Sequence, residues 1–167
     1  MDLVLRRPRP GDGSGLARCW LDASASYAAL NATLFQVPAA DGLAQSLEDR
    51  FLHLADNDAL VLVADTAGEV VGYLIATIAQ PSPRAATDAS RDAGLVRLVI
   101  DALIVREASR YQGVGTQLME AAEQWGRRHG TAIALLDTYV DSPLSVPFYE
   151  QHLGYTRRAV QFRKDLR

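Results

Sequence analysis

The pattern of apolar and polar positions along the chain predicts an α/β fold. "LVLR" at residues 3–6 is a short strand ended by prolines, and Asp12 or Ser14 is positioned to cap a helix that runs to about residue 28. Apolar positions at periods of three and four predict a second helix over residues 43–54. "ALVLVAD" and "VVGYLIATIA", joined by "TAGE", predict an antiparallel hairpin.

The second half of the chain predicts a strand, a helix and a further strand in succession. The near-continuous apolar run at residues 94–107 predicts a central strand buried on both faces. An amphipathic helix starts at Val114 and ends before Gly130, and "TAIALLDTYV" supplies the next strand. Two strands joined by one helix in this way are expected to be parallel.

The last thirty residues predict a short helix followed by extended chain. Ser145 is expected to cap that helix, with Pro147 in its first turn and Gly154 at its end. "YTRRAVQFRKDL" alternates apolar and charged residues and predicts one or two final strands. The basic residues of this segment are expected to form the solvated face of a strand rather than a nucleic-acid site, because the chain as a whole is acidic.

Composition narrows the functional classes. The chain has 167 residues, of which 49% are hydrophobic, enough for one domain with a core over residues 1–167. The net charge of −3 gives no general positive field for nucleic acid or an anionic membrane. We therefore expect neither as a partner.

Cysteine, histidine and hydropathy point to an intracellular protein without a metal. Cys19 is the single cysteine, so no disulfide can form within the chain, and the three histidines lack metal-type spacing. No apolar stretch approaches the length of a membrane span, and the first residues do not have the pattern of a leader. We expect a cytoplasmic protein.

The stretch "SRYQGVGTQLMEAA" at residues 109–122 suggests an anion site. It lies where a strand gives way to a helix, and the first backbone N–H groups of a helix have no internal partner and carry partial positive charge. Gly113 and Gly115 would allow a phosphate to approach the backbone closely, with Arg110 beside them. The alternative is that both glycines serve a tight turn. A third glycine for a dinucleotide motif and a Gly-Lys-Ser/Thr triplet are both absent.

These residues resemble a known signature. "LIVREASRYQGVGTQLMEAAEQWGRRHG" is similar to the acyl-coenzyme A signature of the GNAT superfamily of N-acetyltransferases, in which Arg110, Gly113 and Gly115 match the pattern Arg/Gln-x-x-Gly-x-Gly/Ala. "VPFYEQHLGYTRR" is similar to the closing Phe-Tyr-Glu and Gly-Phe/Tyr segment of that family. The order of the predicted elements agrees with the family along nearly the whole chain.

The resemblance implies a fold and an activity. The fold is a single-domain, mixed and mostly antiparallel sheet of six to seven strands, flanked by about four helices, with a parallel strand–helix–strand unit. The activity is transfer of an acetyl group from acetyl-CoA to a primary amine by direct attack, the amine belonging to a small molecule or a protein. A homodimer is compatible with it. The rival interpretation is a non-catalytic coenzyme A-binding sensor or partner-binding module, since a fold does not settle a function.

The resemblance also implies where the coenzyme binds. Strand backbone would pair with the pantetheine arm, and loop amides would bind the pyrophosphate. Ser142 stands where the family often has Asn, and the alternative for both serines is helix capping. The implied residues are Leu103, Ile104, Val105, Arg110, Tyr111, Gln112, Gly113, Val114, Gly115, Thr116, Ser142 and Ser145.

Two side chains are candidates for the chemistry. Tyr149 matches the family position that often protonates the departing thiolate, and the alternative is an aromatic ring packed in the short helix. Asp101 is a charged residue inside an apolar strand, so it is either a base or substrate anchor, or one partner of a salt bridge with Arg97. Alternation places residues 101, 103 and 105 on one face unless a bulge intervenes.

Acceptor specificity is expected to come from two loops, residues 31–38 and the segment around residues 80–89, because these border the amine side in similar folds. Four aromatic residues could line an apolar pocket there or belong to the core. They are Tyr27, Phe35, Tyr73 and Tyr139.

Overall fold

The structure, a computed structural model, describes residues 2–166. Within it the chain forms two compact units, a larger one that ends at Asp137 and a smaller one that begins at Thr138. The expectation of a single domain stays a prediction. No helix among the described residues is long and apolar enough to cross a membrane.

The larger unit contains the predicted strands and helices in the predicted order. The apolar runs form strands, and the segments with apolar residues at periods of three and four form helices. The predictions for the first half of the chain and for the strand–helix–strand succession after it are therefore confirmed. The elements are β1 (Leu3–Arg6), α1 (Gly13–Leu30), α2 (Leu43–Ala55), β2 (Leu60–Thr66), β3 (Glu69–Ala79), β4 (Arg97–Val105), α3 (Val114–Arg128) and β5 (Ile133–Leu136).

The strands form one mixed sheet in the order β1-β2-β3-β4-β5. The first three pairs are antiparallel, while β4 and β5 are parallel, as predicted. The expectation of six to seven strands is wrong for the described residues, which form five strands because residues 155–166 contain none. Alternation alone does not make a strand: Val160 and Phe162 are exposed, the latter by 91%, so no neighbour buries their apolar face.

The middle strand is β3, and the prediction that the next strand is buried on both faces is wrong. Seven consecutive residues of β3 are buried, whereas in β4 only Leu98 and Ile100 are. Arg97 and Val99 are only partly buried although they pair with β5, and β5 pairs with no residue of β4 beyond 100. The apolar run at residues 94–107 therefore predicted a strand correctly. The second half of that strand, β4, has no neighbouring strand on the β5 side.

A β-bulge in β4 changes which residues share a face. Ile75 lies opposite Ala102 and Ala76 lies opposite Ile100, so Asp101 is the extra residue. Before the bulge, Leu98 lies close to Gly126 of α3. After it, Ala102 and Ile104 pack against the core beneath α1 and α2. Asp101 therefore does not share a face with residues 103 and 105, contrary to simple alternation.

The core on the α1 and α2 side of the sheet is apolar and tightly packed. Phe51 of α2 and Tyr73 of β3 meet edge to face with ring centroids 4.8 Å apart. Gly15 of α1 lies so close to Val70 that a Cβ there would come within 2.6 Å of that side chain. Burial raises the pKa of the Cys19 thiol to about 12, so this cysteine remains a neutral core residue.

The amino end of α1 differs from the expected cap. Asp12 precedes the helix, but its side chain makes no capping hydrogen bond. Instead, its carboxylate accepts two hydrogen bonds of 2.8 Å from the guanidinium of Arg6. The N–H groups of Gly11 and Gly13 donate to the carboxylate of Glu48, at 2.9 and 2.8 Å. Arg6 on β1 thus bonds the Asp12 side chain that was expected to cap α1. The carboxylate of Glu48 from α2 accepts the hydrogen bonds at the helix start instead.

The smaller unit contains α4 (Ser145–Pro147), followed directly by a π-helical turn (Phe148–His152). Ser145 is the first residue of α4 and not its cap, contrary to the prediction. The hydroxyl of Ser142 accepts the Ser145 N–H at 3.1 Å and so takes the capping role three residues earlier. Gly154 adopts a φ of 75° after the turn, as expected of a residue that ends a helix.

Candidate functional site

The loop before α3 is built from residues with left-handed backbone. Tyr111 has a φ of 61° and Gly113 a φ of 80°, and α3 begins at Val114. A left-handed tyrosine is uncommon, and this one is also 93% exposed. Turns of this kind can gather backbone N–H groups into a concavity that binds anions.

The amino end of α3 is open and carries no negative charge of its own. Gly113 caps the helix without a side-chain hydrogen bond, and the first turn has no acidic residue. The Gln117 N–H donates to the Gly113 carbonyl oxygen at 3.0 Å, so the amides of Val114 and Gly115 come before this first helical bond. A Cβ on Gly113 would meet only Gln117 Nε2, at 3.8 Å. The loop therefore fits a phosphate group.

The two glycines of the motif have different backbone roles. Gly113 needs its left-handed conformation to turn the chain into α3, which fits the tight-turn alternative as well as the phosphate interpretation. Gly115 lies inside the first turn of α3 and has no positive φ. The turn therefore explains one glycine of the motif and leaves the other unexplained.

The Arg110 side chain holds the loop in place through hydrogen bonds to two other parts of the protein. Its Nε donates to the Val105 carbonyl oxygen and its Nη2 to the Ser26 hydroxyl, each at 3.3 Å. These bonds tie the loop to the end of β4 and to α1. Gln112 adds a bond of 3.0 Å from its side chain to the Ala108 carbonyl oxygen. These two side chains of the motif thus hold the loop in shape.

The second half of β4 has an edge that β5 does not cover. Pairing with β5 ends at Ile100 opposite Leu136, five residues before the strand ends at Val105. On its other side, β4 stays paired with β3 through Leu103, Ile104 and Val105. The uncovered edge could pair with an extended ligand as a further strand would.

Asp101 lies where this pairing ends, and it is exposed. The predicted cost of burying this charge is therefore absent. Its Oδ2 accepts a hydrogen bond of 3.0 Å from the hydroxyl of Thr77 on β3. The alternative ion pair with Arg97 does not form, since Arg97 donates to the Gln80 carbonyl oxygen at 2.9 Å.

In the smaller unit, Tyr149 is half-buried between aromatic neighbours. Its ring centroid lies 5.3 Å from that of Phe148 and 6.0 Å from that of Tyr155. These contacts agree with the packing alternative, while the role as proton donor stays a prediction. Ser142 is buried and bonded to the start of α4, which agrees with capping; binding of coenzyme by Ser142 and Ser145 also stays a prediction.

Sequence reasoning missed Thr77 and Ser26. A polar residue inside "YLIATIA" was a signal for Thr77, but nothing in the sequence pairs Ser26 with Arg110, 84 residues away. Of the expected aromatic pocket, Tyr27 and Phe35 meet at 5.1 Å, while Tyr73 belongs to the core. No group of three or more metal-binding side chains occurs within residues 2–166.

The family model described as "Acetyltransferase (GNAT) family" matches residues 25–155. The chain belongs to this family of acetyltransferases, as its motifs indicated. No curated protein matches the chain.

Solved structures with the same fold cover nearly the whole chain. A transcriptional regulator from Bacillus halodurans C-125 is 23% identical with a TM-score of 0.73, covering 99% of this chain and 100% of its own. Glucosamine-6-phosphate N-acetyltransferase from Arabidopsis thaliana is 16% identical with a TM-score of 0.66 and covers 100% of both chains. An aminoglycoside acetyltransferase from an uncultured soil metagenomic sample, solved with sisomicin, is 17% identical with a TM-score of 0.63 and covers 99% and 97%.

Proposed function

We propose that this protein transfers an acetyl group from acetyl-CoA to a primary amine by direct attack. The observation that carries the proposal is the open, acid-free amino end of α3, reached through the left-handed residues Tyr111 and Gly113. Membership of an acetyltransferase family supports it. The uncovered edge of β4 adds a place for an extended arm beside that anion site.

Acetyl-CoA as co-substrate supplies the activated acetyl group. In this proposal the amides from Gln112 to Thr116 bind its pyrophosphate at the start of α3, where the helix dipole favours anions. The backbone of Leu103, Ile104 and Val105 pairs with the pantetheine arm along the uncovered edge. No metal is required for this chemistry.

The chemistry needs an unprotonated amine and a stabilised leaving group. An alkyl ammonium has a pKa of about 10.4, so the acceptor must lose a proton before its nitrogen bonds to the carbonyl carbon. The carbon–sulfur bond then breaks, and the Tyr149 hydroxyl donates a proton to the departing thiolate. A backbone N–H of β4 within residues 103–105 would polarise the carbonyl. Asp101 either accepts the amine proton or anchors the acceptor.

The acceptor class proposed is a small molecule with a primary amine. Two structures of similar fold are a glucosamine-6-phosphate N-acetyltransferase and an aminoglycoside acetyltransferase, both named for small molecules that carry amino groups. The acidic net charge of −3 agrees with a cationic acceptor. A protein amine is the alternative that an acceptor screen would reveal.

The coenzyme site can be tested by titrating acetyl-CoA into the wild type and Gly113→Glu by calorimetry at two salt concentrations. Gly130→Glu is the matched control, because Gly130 has a φ of 75° and lies just beyond the other end of α3 with nothing within 4 Å of its Cβ position. Both variants bear the same backbone strain and the same added charge. The corresponding Gln variants separate charge from strain.

Wild type and Gly130→Glu are expected to bind at about micromolar Kd, near −8 kcal/mol, and more weakly at high salt. Gly113→Glu is expected to lose at least a hundredfold in affinity, and Gly113→Gln less. Equal affinity in Gly113→Glu and Gly130→Glu would exclude the loop as the phosphate site. Absence of binding to the wild type would refute the proposed function.

A non-catalytic coenzyme-binding module is the second candidate, and one observation favours it: a structure of the same fold is described as a transcriptional regulator. Release of free thiol from acetyl-CoA in the presence of amines separates the two. Tight coenzyme binding with no thiol release for any amine would support the module. Release that Tyr149→Phe slows would support the enzyme.

A further inference from the structure

The side chains of Thr77 and Asp101 form a hydrogen bond at the point of the sheet where β4 stops pairing with β5. Thr77 lies on β3 opposite Val99, and its hydroxyl is 3.0 Å from Oδ2 of Asp101, the bulged residue of β4. Pairing between β4 and β5 ends one residue earlier, at Ile100. The pair therefore lies where β4 loses its second neighbour.

The face on which the pair lies follows from the alternation of β3. Tyr73 and Ile75 belong to the core beneath α1 and α2, and Thr77 is the next residue on that face. Since Thr77 contacts Asp101, the carboxylate lies on the same side. Asp101 is exposed there, so a solute can reach it.

The hydrogen bond fixes the direction of the carboxylate. The Thr77 hydroxyl has one hydrogen, and it donates this hydrogen to Oδ2. No other described residue bonds the Asp101 carboxylate, which leaves Oδ1 as an acceptor. A carboxylate with one oxygen held and one available suits a primary ammonium group.

We propose that Thr77 is a positioning residue for the acceptor: its hydroxyl holds Oδ2 of Asp101 so that Oδ1 accepts a hydrogen bond from the acceptor's ammonium group. Asp101 accordingly anchors the ammonium group, and the proton that must leave before the nitrogen attacks the carbonyl carbon passes to solvent, to which Asp101 is exposed. This inference rests on the proposed function, because it assigns a contact within the same reaction.

The experiment measures thiol release by the full chain with n-propylamine, spermidine and sisomicin as acceptors, varying each substrate in turn. Thr77→Val keeps a β-branched side chain on the strand and removes the hydroxyl. Thr77→Ser restores a hydroxyl. Thr66→Val is the matched control, because the Thr66 hydroxyl on β2 is buried without a hydrogen-bond partner among the described residues.

Thr77→Val is expected to raise KM for the amine about tenfold, equivalent to about 1.4 kcal/mol, and to leave KM for acetyl-CoA unchanged. Thr77→Ser is expected to recover most of this loss. In an Asp101→Asn background, Thr77→Val is expected to add less than twofold, because both changes disrupt the same anchor. Thr66→Val is expected to match the wild type for both substrates.

Three results would overturn the inference. Turnover by the wild type with an unchanged amine KM in Thr77→Val would reject Thr77 alone and leave the proposed function intact. A parallel rise in both KM values with a lower melting temperature would indicate a purely structural role. No thiol release by the wild type with any of the three amines would reject the proposed function and, with it, the positioning role.

Discussion

The amino ends of α1 and α3 have the same backbone chemistry but different side-chain partners. Each presents backbone N–H groups and the positive end of a helix dipole. At α1, the carboxylate of Glu48 accepts the N–H groups of Gly11 and Gly13, and Asp12 is bonded to Arg6 beside it. At α3, Gly113 caps the helix with no side-chain hydrogen bond, and the first turn has no acid.

The difference shows that one helix end is closed by a carboxylate of the protein and that the other has no such partner, as the proposed phosphate site requires. At α1 the carboxylate of Glu48 from α2 closes the helix end, and Arg6 of β1 bonds both Asp12 beside it and Asp65 of β2, so four elements are tied together. At α3 no carboxylate of the protein is bonded to the helix start, and the side chains of Arg110 and Gln112 bond to backbone carbonyl oxygens at the end of β4 and within the loop. The two ends should therefore respond to substitution in different measurements.

Asp12→Asn is expected to have the largest effect on stability, a loss of about 2–3 kcal/mol in the free energy of unfolding. Asp12 is 6% exposed and Arg6 is 17% exposed, so the variant leaves a largely buried guanidinium with one carboxylate fewer. Urea unfolding measures the loss. Asp56→Asn is the control, because the Arg7–Asp56 pair is exposed and should contribute less than about 1 kcal/mol. Affinity for acetyl-CoA should change in neither variant, and a coupled loss would break the comparison.

The stability of the protein at acid pH should depend on the same ion pairs of Arg6 with Asp12 and Asp65. Burial raises the pKa of Asp12, but hydrogen bonds from Arg6 and the Arg9 N–H outweigh it, and the pKa lies below its ordinary value of 3.8. The Arg6 hydrogen bond likewise lowers the pKa of Asp65. Because both folded pKa values lie below the unfolded value, this stabilisation is present above about pH 4 and is lost as pH falls through the folded values.

Melting temperatures recorded from pH 7 to pH 2.5 test this sign. The wild type should lose stability below about pH 4, and Asp12→Asn should lose less over that range, because it lacks one of the two carboxylates. Identical acid profiles for the two proteins would show that Asp12 does not contribute to the acid transition.

Gln117→Glu is expected to have the smallest effect, and it sharpens the comparison by giving α3 an acid of its own. The Gln117 side chain comes within 3.8 Å of the Cβ position at Gly113, so the change adds one charge near the loop with little change in shape. Affinity for acetyl-CoA should fall about fivefold, while the free protein gains a few tenths of a kcal/mol from the helix dipole. Gln124→Glu, exposed on the same helix two turns later, should change neither by a measurable amount. Equal affinities would mean that the anion binds elsewhere.

Local patterns predicted what depends on neighbours in sequence. The hairpin of β2 and β3 was readable from "TAGE", where Gly68 takes a φ of 86°, and the start of α3 from the glycines after β4. The prediction of one or two final strands after residue 154 was wrong for the described residues. The alternation of this segment suits a strand, but whether Val160 and Phe162 become one depends on a surface that buries them, which the segment does not specify.

The sequence alone determined the order of the elements, the left-handed turn into α3 and the family, because each follows from residues close together in the chain. The tertiary structure decided which carboxylates occupy helix ends and strand faces. Glu48 reaches Gly13 across 35 residues, and Thr77 reaches Asp101 across 24 through a bulge that reverses the faces of β4. Such contacts depend on register and packing, which a one-residue shift between strands changes for every side chain.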